Sequence, residues 1–303
     1  MLLLAGLFVL SRLFHSPGKE SNLRKDLVRL DTSKINEVRI LPSSHREEEI
    51  KLVREGYRWK VIMGQQQAET DEGLVKSMLG MMRQIQAQRM VSHRKNKWED
   101  FNVGEKGTQV SVFEDSGKKA DFLVGKTGFT QTPEGGFGGA YTYLRLKDEN
   151  EVYVVEGFFD SGFNRAFNDW RNKAFLRLRK NDINMISFQY PSDTGFVAEK
   201  KDSVWFVAHL GADASSMENY LNQLSNKNLN EFADGFVPPG QAKIIIQISQ
   251  HGGTPEKVEG WKQDGKWILT STLQKGVYFS SPESAAKSLL IGKKKLLPPE
   301  KKK

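Results

Sequence analysis

An internal repeat constrains this chain more than any other feature. Ile35, Val38 and Ile40 alternate as strand residues do, residues 50–53 and 57–62 continue the pattern with Trp59 inside it, and a polar break leads to a helical stretch. The same order returns with Ile183, Ile186 and Phe188, then residues 195–199 and 204–207 around Trp205, another polar break and another helical stretch. Leu74, Met78 and Met81 would share one helical face, and Met217, Leu221 and Leu224 repeat them at one constant spacing. Asp71 and Asp213 stand just ahead of those faces, where a carboxylate caps the unpaired amides of a first turn. In the second half of each copy, Phe101, Val110 and Val112 match Phe236, Ile244 and Ile246, and Val152-Tyr153 matches Val277-Tyr278. Each copy is expected to end in a helix and a basic, apolar exit, residues 171–176 and 293–297.

The fold class that follows is α+β, as two tandem repeated modules, each a mainly antiparallel sheet with packed helices. Length agrees, since 303 residues exceed the usual size of one hydrophobic core. The expected boundaries are an apolar N-terminal anchor over 1–15, a linker over 16–33, a first module over 34–180, a second over 181–292 and a basic tail over 293–303. Trp59 and Trp205, at equivalent strand positions, are expected in the cores beneath the helices.

The net charge of +8 is carried by the ends. Residues 293–303 hold six lysines against Glu300, and residues 1–30 hold five basic side chains against two acidic ones, so the body between them is neutral. A neutral body argues against a nucleic-acid groove, whereas basic ends fit solvated tails or anionic lipid headgroups. Cysteine is absent, which removes disulfides, thiol catalysis and cysteine-zinc sites. Residues 1–10 are uniformly small or apolar, yet a helix through Phe14 would reach only about 21 Å, short of the roughly 30 Å of a full span. The stretch is read as an anchor, truncated at its start, followed by a linker marked by Pro17 and Gly18.

Several motifs carry a resemblance: Trp98-Glu99-Asp100-Phe101-Asn102-Val103, the strand ending Phe122-Leu123-Val124-Gly125-Lys126, Tyr143-Leu144-Arg145, Val152-Tyr153-Val154-Val155, and Phe163-Asn164-Arg165 through Asp169-Trp170-Arg171-Asn172-Lys173. In this order they resemble the bacterial domain of unknown function family 4340, best over residues 90 to 180. The resemblance implies an N-terminal membrane anchor at the inner membrane, a periplasmic or otherwise extracytoplasmic body, and genes near ABC-2-type transporters and their GldG-like auxiliary subunits. It implies no catalytic residue and no cofactor.

Read for chemistry, the residues give structure before catalysis. Gly125-Lys126-Thr127 ends like a phosphate loop, but Ala120 replaces the glycine such a loop needs, and residues 121–124 form an apolar strand. Gly135-Gly136-Phe137-Gly138-Gly139 reads as a hairpin tip. His15, His45, His93, His209 and His251 have no metal-site spacing, and no nucleophile elbow occurs. Phe163, Phe167 and Trp170 follow helical spacing and are read as core, with Arg165 and Asp169 paired on the opposite side. A candidate interface is set beside that packing: Tyr143, Arg145, Arg165, Trp170, Arg171 and Lys173. The expected function is a non-enzymatic, membrane-anchored, extracytoplasmic accessory or scaffold protein associated with an ABC-2-type transport system. The alternatives are an envelope glycan-binding module, from Tyr141, Tyr143 and Trp261, and a carboxylate-dependent envelope hydrolase.

Overall fold

The computed structural model describes residues 24–191 and 194–299. The apolar run 1–15, the first part of the linker and residues 300–303 lie outside the described residues. Among the described residues, no helix is long and apolar enough to cross a membrane. The chain divides into two compact units, Met1–Asn172 and Lys173–Lys303, ahead of the 180–182 division anticipated from sequence. Both are mostly antiparallel sheet with a few helices, as the α+β expectation required.

The first unit runs β1 (Asp26–Arg29), β2 (Ile35–Leu41), β3 (Ile50–Glu55), β4 (Arg58–Met63), β5 (Gln66–Glu69), helix α1 (Glu72–Met82), β6 (Gln84–Ser92), β7 (Thr108–Glu114), β8 (Gly117–Gln131), β9 (Phe137–Leu146) and β10 (Val152–Glu156). Two short helices, α2 (Phe159–Phe163) and α3 (Phe167–Trp170), close it. All ten strands join one antiparallel sheet in the order β1-β6-β10-β9-β8-β7-β2-β3-β4-β5. Ile35 and Val38 are both fully buried although three residues apart. A bulge explains it: pairing with β7 shifts between Ile35 and Glu37, so Asn36 is absorbed as an extra residue and the inward alternation restarts.

Helix α1 begins where Asp71 accepts the amides of Gly73 and Leu74 at 2.9 and 3.1 Å. Its buried face is Val75, Met78, Leu79 and Met82, one position on from the Leu74-Met78-Met81 face read from sequence; Leu74 and Met81 pack at its margin. The helix covers the sheet face that carries Ile35, Val38, Leu52, Trp59 and Phe122. Trp59 is buried as expected, with Arg54, its register partner, placing a guanidinium 5.4 Å from the ring centre.

The exit departs from the single helix that the spacing of Phe163, Phe167 and Trp170 indicated. The helix breaks at 164–166, and α2 and α3 are separate turns that nevertheless deliver all three rings to the core. Phe163 meets Phe122 edge-on at 5.9 Å.

The second unit contains β11 (Ala174–Arg177), β12 (Ile183–Gln189), β13 (Phe196–Lys201), β14 (Val204–Val207), β15 (Leu210–Gly211), helix α4 (Ala214–Ser225), β16 (Asn226–Asn228), β17 (Glu231–Phe232), β18 (Ile244–Gln250), β19 (Glu256–Gln263), β20 (Lys266–Ser271), β21 (Phe279–Pro282) and helix α5 (Glu283–Ala286). Its nine-stranded sheet follows the order β15-β14-β13-β12-β18-β19-β20-β21-β17, and β11 pairs separately with β16. β13 and β14 are joined by Asp202 and Ser203, both at positive φ (47° and 70°), the geometry of a two-residue hairpin turn whose twist matches its strands. Asp213 caps α4 by accepting the Ser216 amide at 2.8 Å, and Met217, Tyr220, Leu221 and Leu224 are buried beneath it. Trp205 differs from the core expectation: it packs against this core but stays half-buried, on β14 next to the edge strand β15. The segment read as a basic tail opens with a 3-10 turn, Lys293–Lys295, which delivers Leu296 to the core.

Candidate functional site

The six candidate interface residues fall into three places. Tyr143 and Arg145 lie on β9, Arg165, Trp170 and Arg171 belong to the exit of the first unit, and Lys173 opens the second unit.

Arg145 is buried and spends its guanidinium on backbone. Its Nε donates to the Val103 carbonyl at 3.0 Å, and one Nη donates to the carbonyls of Leu146, Lys147 and Glu149 at 3.2, 2.9 and 3.0 Å. Its Cζ lies 3.7 Å from the ring centre of Trp98, whose indole N–H donates to the Asn150 carbonyl at 3.0 Å. A planar, fixed fork suits this task, because one side chain satisfies carbonyls of two loops at once. Desolvation pulls the Arg145 pKa down.

The loop it holds is the Trp98–Val103 motif. Asn102 takes a left-handed φ of 56°, which asparagine tolerates, and the Val103 amide returns to the Trp98 carbonyl at 3.0 Å. Gly125 lies beneath: a Cβ there would sit 2.2 Å from the Phe101 carbonyl oxygen, so only glycine lets the loop seat on β8. Gly125-Lys126-Thr127 is thus a strand segment under a loop, as its apolar flank indicated. Phe101 then packs on Tyr143 with ring centres 4.7 Å apart, and Tyr141 meets Tyr143 edge-on at 5.5 Å. Burial, with a hydrogen bond donated by its hydroxyl to Tyr141, raises the Tyr143 pKa.

At the exit, the Trp170 carbonyl accepts the Asp71 amide at 2.8 Å and the Asn172 amide reaches the Glu69 carbonyl at 2.9 Å, tying the last turn to the start of α1. Asp169 accepts the Ala166 amide at 3.1 Å, and the Arg165 guanidinium lies over Trp170 at 5.8 Å in place of the anticipated Arg165–Asp169 pair. Arg171 is buried, donates to Asn168 Oδ1 at 3.0 Å and lies 5.5 Å from the Phe167 ring centre. Half-buried Lys173 accepts the Leu229 amide through its carbonyl at 3.0 Å.

The Gly135–Gly139 tip has a geometry that sequence reading did not capture. β7 accompanies β8 only to Val124, and β10 accompanies β9 only as far as Tyr141. Beyond these points β8 and β9 continue as a two-stranded arm to the pair Gln131–Phe137. Phe129 and Phe137 on the arm are 61% and 67% exposed, and Phe158 after β10 is 49% exposed. Phe129 lies 6.0 Å from Phe137 and 6.2 Å from Phe158 between ring centres. Alternating Phe among Thr, Gln and Gly was the available signal; without the register it reads as an ordinary half-buried strand.

Other chemistry-bearing groups have local roles. Ser44 Oγ lies 2.9 Å from His45 Nδ1, but the two are sequence neighbours, and the hydroxyl bonds Asn164 Oδ1 at 2.8 Å. Asp160 in α2 has its pKa raised by burial. Trp261 donates its indole N–H to the Gly240 carbonyl at 3.0 Å and is buried against Phe236 and Tyr278, so it offers no face to a sugar. Among the described residues no group of His, Asp or Glu has metal-binding geometry.

Fold and site together define an antiparallel-sheet α+β protein of two units whose best-placed polar side chains hold its own loops. A family model described as a domain of unknown function (DUF4340) matches residues 59–243, and the chain belongs to that family. No curated protein and no solved structure matches it.

Proposed function

We propose that the chain is a non-enzymatic, membrane-tethered accessory protein of the bacterial cell envelope, with an extracytoplasmic body that binds a protein partner of an ABC-2-type transport system or its GldG-like subunits. The observation that carries a binding role is the outer face of the second unit's sheet. Met185, Val197 and Val204 are exposed there on β12, β13 and β14, with half-buried Phe206 among them, opposite the face that carries the core. Exposed apolar side chains gathered on one sheet face, here interleaved with Ser187 and the Glu199–Lys201 ion pair, are a recurrent mark of an interaction surface. Arg145 and the cap carboxylates Asp71 and Asp213, by contrast, are engaged with backbone.

Within the same proposal the two units are copies of one module. Bulges at Asn36 and Asn184 interrupt the pairing of β2 with β7 and of β12 with β18 at the same step. Trp59 is the register partner of Arg54, and Trp205 of Lys200. The carbonyls of these tryptophans accept the amides of Thr70 and Ala212, and the cap amides of Asp71 and Asp213 donate to Trp170 and Leu296. Aligned on their caps, the buried faces of α1 and α4 correspond residue for residue, Val75 with Met217 through Met82 with Leu224. On the same basis Val110 and Val112 match Ile246 and Ile248, two positions beyond the sequence match, a slip that keeps the face because the strand period is two.

Crosslinking in native membranes tests the function. A photoreactive residue at Val197 is expected to capture an ABC-2-type or GldG-like subunit; capture of unrelated soluble proteins alone would remove the reading.

A further inference from the structure

The arm of β8 and β9 has features that the packing of the first unit does not require. Between Thr127 and Ala140 the only charged side chain is Glu134, in a chain that is 27% charged. Three phenylalanines stand exposed, Phe129 in contact with both Phe137 and Phe158, while Phe122, Phe159 and Phe163 of the same unit are buried. Among the described residues, neither backbone edge of the arm has a neighbouring strand. Unpaired backbone amides and carbonyls cannot enter hydrocarbon, but they are satisfied in the hydrated headgroup layer, where aromatic rings also partition. Arg89 and Lys126 stand at the root of the arm, 6.0 Å from the Tyr141 ring centre and 5.9 Å from that of Tyr143, and complement anionic headgroups; exposed Glu156, the register partner of Tyr141, is a carboxylate at the same root.

We infer that the arm is a second membrane contact, with Phe129, Phe137 and Phe158 seated in the interfacial layer of a lipid bilayer. The inference rests on the tether reading above. With residues 1–10 in a bilayer, residues 11–23 can extend at most about 45 Å, which keeps the first unit close enough for a weak aromatic contact to act at high effective concentration. The occupant is lipid rather than a protein groove because residues 127–140 set Gly and Thr beside the rings and carry no Arg or Tyr of a protein hot spot, the basic and Tyr side chains standing only at the root.

The cysteine-free sequence makes the test direct, since one introduced cysteine carries one label. Full-length chain with Glu134→Cys bearing an environment-sensitive fluorophore is mixed with phosphatidylcholine vesicles, with and without phosphatidylglycerol. A blue shift is expected, with quenching by headgroup-depth nitroxide lipids, stronger on the anionic vesicles, and none for a label at Tyr57→Cys, which is 102% exposed in the β3–β4 turn. Phe129→Ser with Phe137→Ser should abolish the shift while the chain still floats with vesicles. An unquenched tip on a floating chain overturns the arm inference and leaves the tether standing; a chain that does not float overturns both. A shift that grows with protein concentration in the absence of lipid overturns it in favour of self-association.

Discussion

The amide of Asp71 donates to the carbonyl of Trp170 at 2.8 Å, so the residue that caps the first helix is itself held by the last turn of its unit. Asp71 serves two directions at once: its carboxylate receives the amides of Gly73 and Leu74 while its backbone secures the exit. Asp71→Ala removes only the cap and is expected to cost about 1 kcal/mol, whereas Trp170→Ala opens a cavity at a fully buried site and should cost about 3–5 kcal/mol. Urea denaturation of the two variants checks the ratio.

Arg145→Ala leaves the carbonyls of Val103 and Glu149 without their donor inside a closed site. A loss of about 2–3 kcal/mol is expected. Arg145→Lys should recover little of it, since one ammonium cannot span both loops. Partner crosslinking from Val197 should persist in both variants under folding conditions.

Gly125→Ala places a methyl group on the Phe101 carbonyl. The loop must lift, and the expected signature is faster amide exchange confined to residues 98–105 together with a fall in Tm. Gly117→Ala is the control: its Cβ would meet open space, but its φ of 109° still disfavours a side chain, so it should lower Tm without changing exchange in that loop.

The two tryptophans should separate by burial. Trp59→Ala removes a buried ring and is expected to cost about 3–5 kcal/mol; Trp205→Ala, at a half-buried place beside the edge, should cost clearly less. Equal losses would show that edge position does not govern the difference.

Asp160 gives a pH dependence. Its folded pKa is raised by burial, so the native state holds a proton that the unfolded chain releases first. Stability should therefore fall as pH rises from the ordinary aspartate range through the raised value, and the penalty is complete above it. Asp160→Asn should raise Tm at pH 7 and have no such effect near pH 3, read by thermal melts across that range.

The patterns that rest on local periodicity were legible from sequence. The alternation of Ile35, Val38 and Ile40 located β2, and Asp71 and Asp213 located both helix starts. The buried helix face came out one residue off because Leu74 and Val75 are equally apolar, and only tertiary packing chooses between them. Asn36 was invisible as a bulge, since an extra residue is defined by the partner strand. Arg145 was named from sequence only as a candidate interface residue; its work on backbone carbonyls was not legible, because carbonyls carry no sequence signature. Phe129 and Phe158 went unnoticed because exposure on the arm depends on where β7 and β10 stop.

The Asp71–Trp170 and Asp213–Leu296 ties also set a timetable. In each unit the segment that closes over the first helix is made last, so no unit can complete its core until its own final residues have emerged. A chain delivered N-terminus first would present an open, partly covered sheet through most of its passage, and would snap shut twice, once per unit. Stalling just short of Trp170 would leave the first core without that ring and α1 without its tie, more open to proteases than a chain stalled shortly after Asn172.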